Sequence, residues 1–237
     1  KALAEVATSV RKLGAKAMAI PTDVTQGPAV AACFAKAARR FGALDIVVNN
    51  AGVMIPSKVE DIREADLRTM LDVNLFGVFR MTKAVLPTMR RQRSGRIVNI
   101  SSLMGLIPAP FMALYAASKH ALEGYSESLD HEIRATGVRV VLVEPAYTRT
   151  SFEGNVYQAD QQLDIYQSAR ANAEGVLRDE MKTADAPELV ANAVVKAATE
   201  VNPNRRYAVG RMARQVSLLR RFVPASAFDK SLRKQMR

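Results

Sequence analysis

Tyr115 and Lys119 stand four residues apart in a stretch with a helical pattern, so both fall on one helix face. A phenol titrates at about 10 and is a poor base at neutral pH, but a cation held beside it favours the phenolate. The pair is therefore a candidate general acid/base. By itself the spacing is weak evidence, because Tyr and Lys meet at that interval by chance in many helices. Ser102 ends a β-rich run thirteen residues before Tyr115, where its hydroxyl could donate to a substrate carbonyl. Asn74 lies in Asp72-Val73-Asn74-Leu75-Phe76-Gly77, inside a long helical pattern. Asn has only modest helix propensity, so taken alone Asn74 reads as an exposed or capping amide.

Other chemistries fit less well. A Ser–His–Asp triad would need His120 or His131 to face Ser102 with a carboxylate behind it. Gly124-Tyr125-Ser126-Glu127-Ser128 lacks the second glycine of a nucleophile elbow. Two histidines and one cysteine are too few soft ligands for a metal site, and none is expected. Cys33, in an Ala-rich helical stretch, reads as a small core residue. A lone cysteine allows no intrachain disulfide and points to a reducing, cytoplasmic setting.

The elements that must position these residues are read from hydrophobic periodicity. Leu3, Val6, Ala7, Val10 and Leu13 form one helix face closed by Gly14. Short or continuous apolar runs predict strands at Ala17–Ile20, Leu44–Val48, Arg96–Ile100, Val138–Val143 and Tyr207–Val209. Helices are expected at Gly27–Phe41, Ala65–Arg91 with Pro87 as a bend, Ala113–Thr136 closed by Gly137, and Ala186–Glu200. Tyr157–Lys182 is polar and loosely helical. Alternating strands and helices imply βαβ units, hence an α/β, Rossmann-like, doubly wound parallel sheet in one domain over 1–237. Ligands in such sheets bind at the carboxyl ends of the strands, where Asp23, Asn49–Gly52, Ser101–Ser102 and Pro145–Thr150 fall.

Asn49-Asn50-Ala51-Gly52, Asn74, Ile100-Ser101-Ser102 and Tyr115-x-x-x-Lys119 occur in the order and spacing of the classical short-chain dehydrogenases/reductases, which this chain resembles from Lys1 onward. Arg206-Tyr207-Ala208-Val209-Gly210 and the basic segment after it look like the 17β-hydroxysteroid-dehydrogenase-like branch. The resemblance implies an NAD(P)-dependent oxidoreductase that interconverts a secondary alcohol and a ketone by hydride transfer. It implies Tyr115 as proton donor and acceptor, and Lys119 as the residue that lowers the tyrosine's pKa and holds the nicotinamide ribose. Ser102 would orient the substrate carbonyl and Asn74 would hold a relay water. Asp23 and Val24 match the adenine contact. Asn50, Ala51 and Gly52 match the segment at the adenine-side ribose. Pro145, Ala146, Thr148 and Thr150 match the loop that meets the nicotinamide.

Two departures from the family pattern stand out. Pro145-Ala146 replaces the usual Pro-Gly. No two of the twelve glycines are closer than ten residues, so no Gly-rich pyrophosphate turn exists in this chain. The sequence is thus expected to lack the first βαβ unit of the family and to be incomplete at its N-terminus. The choice between NAD and NADP is not readable from it. A rival expectation follows, that of a non-catalytic scaffold unable to bind the cofactor pyrophosphate. The apolar bias of Tyr157, Leu163, Ile165, Tyr166, Val176 and Leu177, within a lid insertion at 151–185, suggests a small apolar alcohol or ketone as substrate. A packed helix pair explains the same bias. Resemblance also implies a homodimer or homotetramer built on the two long helices.

The formal net charge of +11 is mostly local. Residues 205–237 carry ten Lys/Arg against Asp229 alone, leaving the remainder nearly neutral. A nucleic-acid role would want aromatic stacking platforms on a basic face; the segment offers only Tyr207, Phe222 and Phe228, so nucleic acid is not an expected partner. Met212, Val216, Leu219 and Val223 recur at near-helical spacing between arginines. Such a helix can pack on its own domain, or touch an anionic membrane peripherally through 211–237.

Overall fold

In the computed structural model, which describes residues 1–150, 152, 156, 162–224 and 226–230, four strands form one parallel sheet. These are β1 (Ile46–Asn49), β2 (Gly95–Ile100), β3 (Val138–Pro145) and β4 (Arg206–Val209), in spatial order β1-β2-β3-β4. The helices are α1 (Ala2–Lys12), α2 (Gly27–Phe41), α3 (Glu64–Leu71), α4 (Val78–Gln92), α5 (Ala113–Ile133), α6 (Gln167–Lys182), α7 (Pro187–Thr199) and α8 (Gly210–Phe222). The register pairs Val48 with Val98, Val98 with Val141, and Val143 with Tyr207. Strand side chains alternate between faces, so one apolar set meets each helical layer. On one face Val47, Ile97, Val138 and Val140 pack with Val85 and Met89 of α4 and Leu129 of α5. On the other, Val98, Val141, Val143, Tyr207 and Val209 pack with Ala197 of α7. Helices on both faces of a parallel sheet make this the expected Rossmann-like α/β fold.

Four expectations need correction. Ala17–Ile20 is not a strand, because no neighbour offers it a ladder among the described residues. The continuous helix expected over Ala65–Arg91 is three pieces: α3, a π-helical stretch at Asp72–Gly77, and α4. Of the apolar stripe on α1, only Ala7 is buried, while Leu3, Val6 and Leu13 are exposed. Cys33 is half-buried rather than in the core. Tyr157, one residue of the expected lid, lies outside the described residues.

The carboxyl ends of β2 and β3 are held in register by two ties at their opposite ends. Asp130 of α5 is buried, accepts from the Val140 amide at 3.0 Å and from Arg139 Nε at 2.9 Å, and pairs with Arg134. The turn into β3 needs Gly137 at φ +85°, with Arg93 at the end of α4 also in the left-handed region at φ +52°. A Cβ on Gly137 would lie 2.0 Å from the Arg93 carbonyl oxygen. Gly137→Ala therefore combines left-handed strain with a backbone collision that neither chain segment can relieve by a rotamer change. We expect a loss of more than about 2 kcal/mol in denaturant unfolding, with the m-value unchanged.

Candidate active site

The four catalytic candidates converge where β2 ends. Ser102 follows β2 and opens a short 3-10 turn, its hydroxyl accepting from the Met104 amide at 3.1 Å. Across from it, the Tyr115 hydroxyl hydrogen-bonds Ser102. Lys119, one turn further along α5, is buried and donates from Nζ to the Ile100 carbonyl at 2.9 Å. Its ammonium lies 5.7 Å from the centre of the Tyr115 ring.

Burial governs both titrations. It pushes the Tyr115 phenol up to about 12, partly offset by the Ser102 hydrogen bond. It pulls Lys119 down to about 8, opposed by the nearby carboxylate of Glu123. Desolvation, and not the charge of Lys119, governs the phenol, the reverse of the expected lowering. At neutral pH Tyr115 is a neutral phenol with a proton to give.

Asn74 is not the exposed amide that its surroundings suggest; it is 1% exposed. Its Oδ1 accepts from the Val53 amide at 2.9 Å, and its Nδ2 donates to the Val53 carbonyl at 2.9 Å and to Ser118 Oγ at 3.1 Å. The π-helical stretch turns this side chain inward; such insertions often mark functional sites. Asn74 thereby ties the loop after β1 to the helix that carries Tyr115 and Lys119.

The cofactor candidates divide into two groups. Val24, Asn50 and Ala51 line a cleft of about 180 Å³ together with Val48, Asn49, Val73, Gly77, Val78 and Met81. A Cβ on Gly77 would come within 2.9 Å of Val24, so glycine there keeps the floor of the cleft close to α4. Gly52 lies beside it, 3.6 Å from the Asn74 amide oxygen measured from its would-be Cβ. Asp23 is exposed and caps Thr25 through hydrogen bonds at 2.9 and 2.8 Å. The second group follows β3. Pro145 ends the strand, and Ala146 packs beside Leu103 and Ile107 over the Ser102 turn. Thr148 Oγ1 donates to the Ala146 carbonyl, and Thr150 Oγ1 accepts from the Phe152 amide. Neither threonine bonds to the Tyr115 group among the described residues.

An apolar slot edged by amides suits a flat heteroaromatic ring, and a short loop beside Ser102 and Tyr115 suits the reacting end of a dinucleotide. The residues present fit the two ends of a nicotinamide dinucleotide. None of the described residues is assigned to its pyrophosphate.

Three features were missed in the sequence. Ser118 shares the Asn74 contact. A buried amide chain runs from Asn49 to Asn99 to Ser126 at 2.8 Å per link, fixing the β1 and β2 ends against α5. Glu123 and Glu144 are buried behind Lys119. Only Glu123 had a usable signal, since it continues the Tyr115–Lys119 face by one more turn.

The short chain dehydrogenase family model matches residues 1–161. The chain belongs to the short-chain dehydrogenase/reductase family. It is 33% identical over 217 residues to an uncharacterized oxidoreductase of Schizosaccharomyces pombe, covering 90% of each chain. A short-chain dehydrogenase from Streptomyces avermitilis superposes with a TM-score of 0.80 at 30% identity, covering 99% of this chain and 82% of that one. A short-chain dehydrogenase/reductase from Burkholderia phymatum in complex with NAD gives a TM-score of 0.76 at 28% identity, covering 86% and 75%. A metagenomic short-chain oxidoreductase in complex with NADP gives 0.58 at 33%, covering 60% and 65%. The chain is thus a short-chain oxidoreductase whose structural neighbours bind NAD or NADP.

Proposed function

We propose that this oxidoreductase interconverts a secondary alcohol and a ketone, with Tyr115 as the proton donor and acceptor. The observation that carries the reading is the buried, protonated Tyr115 hydroxyl hydrogen-bonded to Ser102, with Lys119 one helical turn away. NAD or NADP, when bound, supplies or removes the hydride. In the reducing direction Tyr115 gives its proton to the carbonyl oxygen while Ser102 holds that oxygen in place. The reverse direction returns the proton to Tyr115. Lys119 places a positive charge beside the phenol, and Asn74 keeps the loop at Asn50–Gly52 against α5 while, on the family pattern, holding the relay water. Val24, Asn50, Ala51 and Gly52 would hold the adenosine end, with Asp23 at its rim. Pro145, Ala146, Thr148 and Thr150 would meet the nicotinamide end.

An apolar substrate is supported by the exposed apolar side chains of the 163–166 segment. Leu163 and Ile165 are exposed, on a stretch fastened by Asp61, which accepts from the Leu163 amide at 3.0 Å and from Arg170 at 3.2 Å. Tyr166 adds a 2.6 Å bond to Glu60. The same reading places the chain in the 17β-hydroxysteroid-dehydrogenase-like branch, in a reducing compartment, and in a homodimer or homotetramer; the exposed Phe76 and Phe79 beside α4 support that assembly. Among the described residues no helix is long and apolar enough to cross a membrane. Met212, Val216 and Val223 turn inward onto Leu103, Ile107 and Phe228. Leu218, Leu219 and Phe222 face out among arginines, which supports peripheral contact with an anionic membrane.

The experiment is a titration of the 237-residue chain with NADH and with NADPH, followed by single-wavelength assays against apolar ketones. We expect saturable binding of one cofactor and ketone-dependent oxidation of it. The reduction rate should fall as pH rises past about 8, where Lys119 loses its charge. Binding of neither cofactor would favour the non-catalytic scaffold.

A further inference from the structure

We propose that Glu123 and Glu144 share a single proton at neutral pH, and that the one negative charge left on the pair is the internal counter-charge of Lys119. Glu123 lies one turn beyond Lys119 on α5, and Glu144 faces it from β3; they are 4% and 1% exposed. Both carboxyl groups are drawn to one guanidinium, that of Arg206. Two ionised carboxylates only accept and repel each other, so a buried pair facing one cation is best satisfied when one of the two carries a proton.

The charges facing the pair come from every element packed on it. From β4, Arg206 Nη2 lies 3.0 Å from Glu123 and 3.4 Å from Glu127, and its Nε lies 3.5 Å from Glu144. From α5 come Lys119 on one side and the half-exposed Glu127 on the other. The end of β2 contributes only Ser101, and the turn after it only Gly105, whose would-be Cβ falls 2.8 Å from Ser101 Oγ and 3.0 Å from Glu123 Oε1. One guanidinium thus serves three carboxylates, and Glu127 is the one that water can screen. Two like charges in contact away from water cannot both persist. Consistent with this, burial and the neighbouring acid push Glu144 up to about 8 and raise Glu123 as well.

The pair is a positioning element for the proposed reaction, since it touches neither substrate nor the phenol. It keeps a buried ammonium charged beside Tyr115, and its protonation lets it do so with one unit of charge instead of two. The inference rests on the proposed role of Lys119, but its test needs no turnover. In the infrared spectrum of the full chain at pH 7 we expect a carboxylic-acid stretch that disappears as pH is raised through about 8. Glu123→Gln and Glu144→Gln should each abolish it, because the remaining carboxyl then ionises beside Arg206. Lys119, followed by ¹⁵N NMR of lysine-labelled protein and assigned with Lys119→Arg, should keep its titration midpoint in each single variant. In the double variant the midpoint should fall by roughly one pH unit. Four results would overturn the proposal: no such band in the parent, a band that survives either substitution, equal and additive shifts of Lys119 with each substitution, or an unmoved Lys119 in the double variant. Where a glutamine variant does not fold, the band in the parent and its loss on raising pH decide the matter.

Discussion

Tyr115→Phe should fold as the parent does, bind cofactor with unchanged affinity, and lose turnover by about 10²–10⁴-fold. The substitution removes one oxygen from a buried ring and leaves its packing volume in place. Among the described residues its polar partner is the Ser102 hydroxyl, which still has the Met104 amide to satisfy it. The structural cost should therefore be small, about 1 kcal/mol. The chemical cost is larger because no other group in the cluster can take over the proton. Lys119 is committed to the Ile100 carbonyl, and Ser102 is far too weak an acid. His120 is turned back onto the Ala116 carbonyl of its own helix, and His131 lies near Arg205. The measurements are thermal unfolding, cofactor titration and kcat for the same preparation. Retained turnover would remove Tyr115 from the mechanism, whereas loss of cofactor binding would show that the hydroxyl holds the site together.

What the sequence displays and what it conceals follow from locality. Tyr115 and Lys119 are visible because an i, i+4 pair needs nothing but a helix. Ser102 is visible because a strand end in an α/β protein is a place where ligands bind. The sheet is legible because β2 and β3 each carry an apolar run, Ile97–Val98 and Val140–Val143, buried on both faces. Ala17–Ile20 has the same apolar look, yet a strand requires a partner that local pattern does not supply. The break at Asp72–Gly77 is hidden because one inserted residue barely disturbs a helical hydrophobic pattern. Leu219 is drawn in sequence onto the inward face with Met212 and Val216, but stands half exposed in α8. Glu123 and Glu144 are 21 residues apart in sequence, and only the packing of α5 on β3 and β4 brings them together.

Asn74→Ala should cost about 3 kcal/mol of stability and roughly 10–10²-fold in kcat/KM. The amide makes three hydrogen bonds in a site closed to water, two with Val53 and one with Ser118. Alanine would leave the Val53 amide and carbonyl without partners, and a buried unsatisfied backbone group is expensive. The kinetic loss has a different origin. The loop at Asn50–Gly52 is held against α5 through this one side chain, so its release lets the cofactor cleft shift relative to Tyr115 while both remain intact. Ser118→Ala separates the two effects. Of the three Asn74 bonds it deletes only the third, together with the Ser118 hydroxyl's own bond to the Tyr115 carbonyl at 2.8 Å, and should cost about 1 kcal/mol with little change in KM for the cofactor. A double-mutant cycle between Asn74→Ala and Ser118→Ala, read by both unfolding and kcat/KM, should show strong coupling in stability and weak coupling in rate. Coupling of equal size in both would mean that α5, rather than the loop after β1, is what Asn74 positions.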